Sequence, residues 1–216
     1  MTALMTAGCR CADSPDILAA IREEGCNLAI WRRLPIADFT PLTEGTPPDL
    51  RFETSPAAVA RALPAALAEA GFAAPELHAP LAADVARIAG LFCAAMRLAR
   101  FELRLELVRT DSCRKFHADY VTARLITTYA GAGTEWIDDA DAARVAAGQE
   151  PRRINRMNAF DVGLFKGRTA TKRPAIHRSP PIAATGGKRL LLVLNPAIRQ
   201  FVDSPDSAFS GGREVA

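Results

Sequence analysis

The chain has 216 residues, 49% of them hydrophobic and 24% charged, with a formal net charge of +3. That size and balance suit one globular domain with a sizeable core, and exclude fibrous and natively disordered classes. No uninterrupted apolar run reaches the roughly 18 residues of a membrane helix, so the expected location is the cytoplasm, with no membrane partner.

From the N-terminus, "TAGC" at 6–9 sits where a lipoprotein cleavage site would fall, but nothing basic and no long apolar run precedes it, so it is discounted. Ser14 followed by "PDILAAIREEG" carries a capping residue, an early proline and a glycine stop, the pattern of a helix. "CNLAIWRRLP" reads as a short strand ended by Pro35, and the segment 36–54, rich in Pro, Thr and Asp, as a loop. Ser55 with "PAAVARALPAALAEAGF" predicts a helix that Pro64 kinks or divides. "PLAADVARIAGLFCAAMRLARFE" keeps helical spacing for several turns.

After residue 101 the period changes from that of helices to that of strands. "FELRLELVR" alternates apolar and polar residues, and "ARLITTYAG", "NAFDVGLFKG" and "KRLLLVLNP" are further short strands separated by Gly- or Pro-bearing turns. A short polar helix is expected at "DDADAARVAAGQE". In the last strand Leu191 and Val193 face one side while Leu190, Leu192 and Leu194 face the other, so it needs cover on both. The N-terminal helices are the natural cover. The expected architecture is α+β: a single domain with a mainly helical layer over 1–101, a β core over 102–200 and a flexible tail over 201–216.

Five cysteines (Cys9, Cys11, Cys26, Cys93, Cys113) without a CxxC pair argue against a disulfide framework and a four-cysteine zinc site. The C-x-C of Cys9 and Cys11 reads as two thiols near a loose terminus, and Cys113 as a small buried residue. Eleven Lys or Arg but a single acid, Asp161, lie between Arg152 and Arg199. Such clustering either attracts an anionic substrate or nucleic acid, or forms a solvated face. Stacking aromatics are not interleaved with it, which ranks nucleic acid last.

Three histidines are available. In "CRKFHADYV", His117 and Asp119 are two apart and in an extended segment point to the same side. With His177 from "AIHRSPP" they form a two-histidine, one-carboxylate set, which leaves three open positions on an octahedral metal. His78 between two helical segments reads as a loop residue. Arg189 opens "RLLLVLN" and comes near His177 if the two segments are antiparallel neighbours, where its guanidinium would grip a dicarboxylate. If the strand runs on unbroken from His117, parity puts Leu125, Thr127 and Tyr129 on the same side, with Tyr129 able to donate to a bound carboxylate. Trp136 and Arg124 are weaker candidates for the substrate pocket; Trp136 also reads as a core anchor, and Arg124 as the partner of an outer-face acid.

The pieces "FHADYVTARLITTYAG", "AFDVGLFKGRTATKRPAIHRSPP" and "GGKRLLLVLN" resemble, in order, motifs of the Fe(II)/2-oxoglutarate-dependent dioxygenases of the double-stranded β-helix fold. That resemblance implies a jelly-roll or cupin-like core backed by helices. It also implies His117, Asp119 and His177 as metal ligands, with Arg189, and less firmly Tyr129, binding 2-oxoglutarate. The wording "CRKFHADY", "TYAGAGTEW", "DVGLFKG" and "HRSPPI" is similar to a bacterial family known only as domain of unknown function 1826, which implies no activity. The function expected is an oxygenase of the hydroxylase type using Fe(II) and 2-oxoglutarate on an unknown, small or anionic substrate. The alternative is a non-catalytic cupin-like protein holding Zn in metal handling.

Overall fold

The computed structural model describes residues 4–6 and 8–197, so the tail expected over 201–216 lies outside the described residues. Strands β1 (Leu4–Thr6), β2 (Cys9–Ala12), β3 (Leu28–Trp31) and β4 (Leu50–Thr54) come first, followed by helices α1 (Pro56–Glu69) and α2 (His78–Met96). Next come β5 (Phe101–Val108), β6 (Ala123–Ala130), β7 (Glu135–Ile137), α3 (Asp139–Ala146) and β8 (Asn155–Arg156). Strands β9 (Val162–Lys166), β10 (Ile176–Arg178) and β11 (Arg189–Pro196) complete the described fold.

Eight strands form one sheet in the order β1-β2-β3-β9-β6-β11-β5-β4, antiparallel throughout except for the β2–β3 pair. A second sheet has the order β10-β7-β8. The period-2 pattern sorts the side chains between two cores. Phe101, Leu103 and Leu105 of β5, Leu125 of β6, and Leu190, Leu192 and Leu194 of β11 pack with Leu63 and Leu67 of α1 and with Leu81, Val85, Ile88 and Phe92 of α2. On the other face Ile126, Phe165, Leu191 and Val193 pack with Trp136 of the small sheet. Leucines and valines fill β11 on both faces because both are covered, as a two-sided strand requires.

The first hundred residues contribute four strands as well as helices. β4 falls inside the segment read as a loop. Leu50 and Phe52 are the only apolar residues there, alternating with exposed Arg51 and Glu53 ahead of the buried Thr54, so an edge strand presents too short an apolar alternation to stand out. Pro15–Arg22 is a 3-10 helix, whose cap Ser14 accepts from the Asp16 amide. α1 continues through Pro64. The helical stretch Pro75–Met96 is, by length and composition, apolar enough to cross a membrane, against the expectation of no such run. Its apolar side chains line the core, and half of its most apolar stretch is buried inside the fold.

α2 also carries a buried acid, Asp84, which needs a partner inside the core. Arg33 Nη1 and Nη2 bind its two oxygens at 2.6 and 2.7 Å, and Tyr129 donates its hydroxyl to Oδ2 at 2.7 Å. Arg33 Nε also donates to the Phe160 carbonyl at 2.7 Å. Burial, and then the Asp84 charge, hold the Tyr129 pKa well above its ordinary value, so the hydroxyl remains a donor. This knot ties the helical layer to the sheet. Asp84→Ala strands a buried guanidinium and is expected to lower stability by roughly 3–5 kcal/mol in urea denaturation. A loss well under 1 kcal/mol would show that the knot does not anchor the helix.

Candidate metal centre

His117 lies in an extended stretch just before β6, and His177 is the middle residue of β10. The two exchange both backbone hydrogen bonds, His117 N to His177 O at 3.0 Å and His177 N to His117 O at 2.9 Å. Residues paired this way stand directly opposite, with side chains on the same side. Their rings accordingly lie 4.7 Å apart between centroids. Asp119, two residues on, points to that side as well. One ligand atom from each of His117, Asp119 and His177 lies within 4.8 Å of the others.

The contacts around these atoms set their chemistry. His117 Nδ1 is 2.9 Å from the Lys115 carbonyl, and His177 Nδ1 is 3.4 Å from the Ala175 carbonyl. A carbonyl only accepts, so both contacts favour a proton on Nδ1 and leave Nε2 with a lone pair. His177 Nε2 is 3.3 Å from Asp119 Oδ2, and His117 Nε2 is 3.9 Å from Oδ1. Oδ2 is buried and accepts no hydrogen bond. Nε2 and Oδ2 therefore face each other directly, and a proton or a metal cation between them satisfies both. Burial raises the Asp119 carboxyl pKa, yet His177, Arg124 and His117 outweigh it and hold the group below its usual value. An orphaned carboxylate oxygen between two imidazole nitrogens suits a divalent cation, and this cluster can hold one.

His117 and His177 border a cavity of about 90 Å³, lined also by Arg104, Arg124, Thr134, Arg178 and Ser179. Arg189 sits behind Thr134 and Ser179. Its side chain is wholly buried and all its hydrogen-bond partners are neutral. Nε donates to the Ala132 carbonyl at 2.6 Å and Nη1 to Ser179 Oγ at 2.6 Å, while Nη2 donates to Thr128 Oγ1 and Thr134 Oγ1 at 3.2 Å. Burial pushes its pKa down to about 10 despite the more distant Glu106 and Glu135. Contrary to the expectation from sequence, the segments holding His177 and Arg189 are not ladder neighbours. β10 pairs with β7, and β11 lies in the large sheet between β6 and β5. The two residues meet across the sheets through Ser179.

Tyr129 turns away from the cavity to Asp84 on the helical side. Parity failed there because turn residues separate Asp119 from β6: Leu125 and Tyr129 do share a face, but it is the helical one. Trp136 is paired with His177 but packs between the sheets and lines the neighbouring cavity with Cys9 and Cys11, not the one bordered by the ligands. Arg124 does line the site and pairs with Asp119 itself. Cys113 is exposed at the cavity, held there by a left-handed backbone (φ 57°) rather than buried. His78 is buried beside the Ala73 carbonyl and takes no part in the cluster.

The residues that sequence reading missed are Thr128, Thr134, Ser179 and Asn195. They come from separate segments and share no spacing; only the approach of Gly131 leaves a trace. Gly131 has φ +84°, and a Cβ on it would lie 2.1 Å from the Lys188 carbonyl oxygen and 3.2 Å from Arg189 Cγ. Gly131→Ala is expected to cost roughly 1–3 kcal/mol and to displace Arg189, read as a lower Tm. An unchanged Tm would show that the turn tolerates the methyl group.

No curated protein matches the chain. Among solved structures, a bsmA homolog from Methylobium petroleophilum PM1 aligns over 56% of this chain at 16% identity and TM-score 0.33. The chain spans about half, 53%, of that protein's length. A C-terminally truncated Neurospora crassa protein in apo form aligns over 84% of this chain and 86% of its own, at 9% identity and TM-score 0.36. The full-length form of that Neurospora crassa protein, in complex with alpha-KG, aligns over 85% and 63%, at 10% identity and TM-score 0.32. Residues 12–195 match the family described as "Protein of unknown function (DUF1826)". With nearly its whole described length inside that match, the chain belongs to the DUF1826 family.

Proposed function

We propose that this protein is an Fe(II)- and 2-oxoglutarate-dependent oxygenase built on a double-stranded β-helix core, with the large and small sheets as its two walls. One observation carries the reading. Two imidazole nitrogens at the cavity converge with an unpartnered carboxylate oxygen, and behind Thr134 and Ser179 of the cavity wall lies a buried guanidinium without an anionic partner. A buried cation compensated only by hydroxyls and a carbonyl is costly unless a ligand brings the counter-charge.

In this reading His117, Asp119 and His177 hold the iron, and Arg189 receives the distal carboxylate of 2-oxoglutarate. Thr134 and Ser179 hold the guanidinium in place and offer hydroxyls to the same carboxylate. When bound, the iron supplies dioxygen activation coupled to oxidative decarboxylation of the 2-oxo acid, which oxidises a substrate C–H bond. The chain's own work is to orient and to exclude water. Phe165, with its ring centroid 4.7 Å from that of His177, and the apolar Ile126, Leu191 and Val193 dry the inner side. His117 is 37% exposed along its side chain and marks the side from which a small, anionic substrate enters. Arg104 and Arg178 stand at the cavity but are paired with Glu106 and Glu135.

A purely zinc-holding role accounts for the ligands but not for Arg189, and among the described residues no thiol joins the cluster. The deciding experiment is anaerobic titration with Fe(II) and 2-oxoglutarate, followed by the visible charge-transfer absorption of a chelated 2-oxo acid. Absorption that saturates at one equivalent supports the oxygenase; none, alongside tight Zn(II) binding, rejects it. Arg189→Met should keep metal binding and lose 2-oxoglutarate turnover by a factor of at least about 100, since a charge-assisted bidentate contact is removed. Turnover equal to that of the parent would refute the anchor.

A further inference from the structure

One side chain from each of four adjacent strands forms a polar row that starts at Asp119. Arg124 of β6 donates from Nη1 to Asp119 Oδ1 at 2.6 Å and from Nε to Asn195 Oδ1 at 2.8 Å. Asn195 of β11 stands directly opposite Glu102 of β5 and donates from Nδ2 to its Oε1 at 3.0 Å. Arg51 of β4 closes the row, its Nε and Nη2 each 2.8 Å from Glu102 Oε2. Arginine has no acceptor and the Glu102 carboxylate no proton to give, so the Asn195 amide can face only one way.

This row divides the labour between the two oxygens of Asp119. Oδ1 is taken by a charge-assisted bond of 2.6 Å, while Oδ2 is buried without a partner. A carboxylate free to rotate can bind a metal through both oxygens and fill two coordination positions. We propose that Arg124 is a positioning residue that confines Asp119 to coordination through Oδ2 alone, with Asn195 and Glu102 fixing the guanidinium from behind. The inference deepens the metal-centre reading above and rests on it. Its consequence is an open coordination position that a two-oxygen carboxylate would occupy. Two guanidinium groups then do opposite jobs at one centre: Arg189 waits for a ligand, and Arg124 already has its carboxylate.

The test uses Co(II) as the probe, with no oxo acid present, on the full chain. Calorimetry reads affinity, and the d–d absorption of bound Co(II) reads coordination number. Arg124→Gln is expected to weaken Co(II) binding about 10–100-fold, the usual effect of removing a group that orients a ligand, and to change the d–d spectrum. Arg124→Lys keeps a cation for Oδ1 without the planar fork and should recover part of both. Asn195→Leu should shift both readouts in the same direction but less, and it decides the matter if Arg124→Gln fails to fold. Arg124→Gln that melts like the parent, binds Co(II) within about two-fold of it and keeps its spectrum overturns the proposal. A parent protein that binds Co(II) but ignores the oxo acid refutes only the oxygenase. A parent that binds no Co(II) overturns both.

Discussion

Two backbone hydrogen bonds, exchanged between His117 and His177, are what make this a site rather than a set of residues. His177 belongs to the small sheet, while His117 precedes β6 of the large one, so this single bridge joins the two sheets at the cavity edge. An opposed pair with both hydrogen bonds made has only one side on which to put its two rings. Asp119 follows by the alternation of extended chain. Behind it, Gly167 lets the backbone pass so closely that a Cβ there would lie 2.1 Å from the Val121 carbonyl oxygen, with Asp119 O at 2.9 Å. The ligand geometry is thus held by main-chain contacts, which tolerate side-chain change better than a packed core does.

The sequence carried the grouping of His117, Asp119 and His177, since a spacing of two has one meaning in extended chain and His177 is the other histidine of the β half. It carried the two-sided burial of β11, because the unbroken apolar run from Leu190 to Leu194 needs cover on both faces. Tyr129 shows where such reasoning stops: parity counts residues, while the turn after Asp119 resets the count and leaves no compositional mark. Arg189 shows a second limit. Its place on a strand was legible, but its neutral hydroxyl partners come from three segments that meet only in the folded chain. The edge strand β4 escaped for a third reason, that a strand with one neighbour and one exposed face needs only two apolar residues.

The uneven charge of the second half also has a structural explanation. Arg156 and Arg178 both bind the buried Glu135, Arg173 stands 3.8 Å from Asp139, and Arg189 is buried. Arg156, Arg178 and Arg189 thus serve contacts within the small sheet and behind the cavity, while Arg152, Arg153, Arg168, Lys172, Arg173 and Lys188 remain exposed. Pairing Glu135 with two guanidinium groups makes its burial tolerable, because a lone carboxylate there would be strongly disfavoured.

The unequal burial of the two histidines gives the cluster an inside and an outside. His177 is 5% exposed along its side chain and His117 37%, so the path from solvent reaches His117 first. A cation held as proposed would shed its first waters there before meeting Asp119 and the deeper imidazole. By microscopic reversibility it would leave in the opposite order, with His117 the last residue to let go. Its exchange would then turn on the motion of one surface ligand, His117.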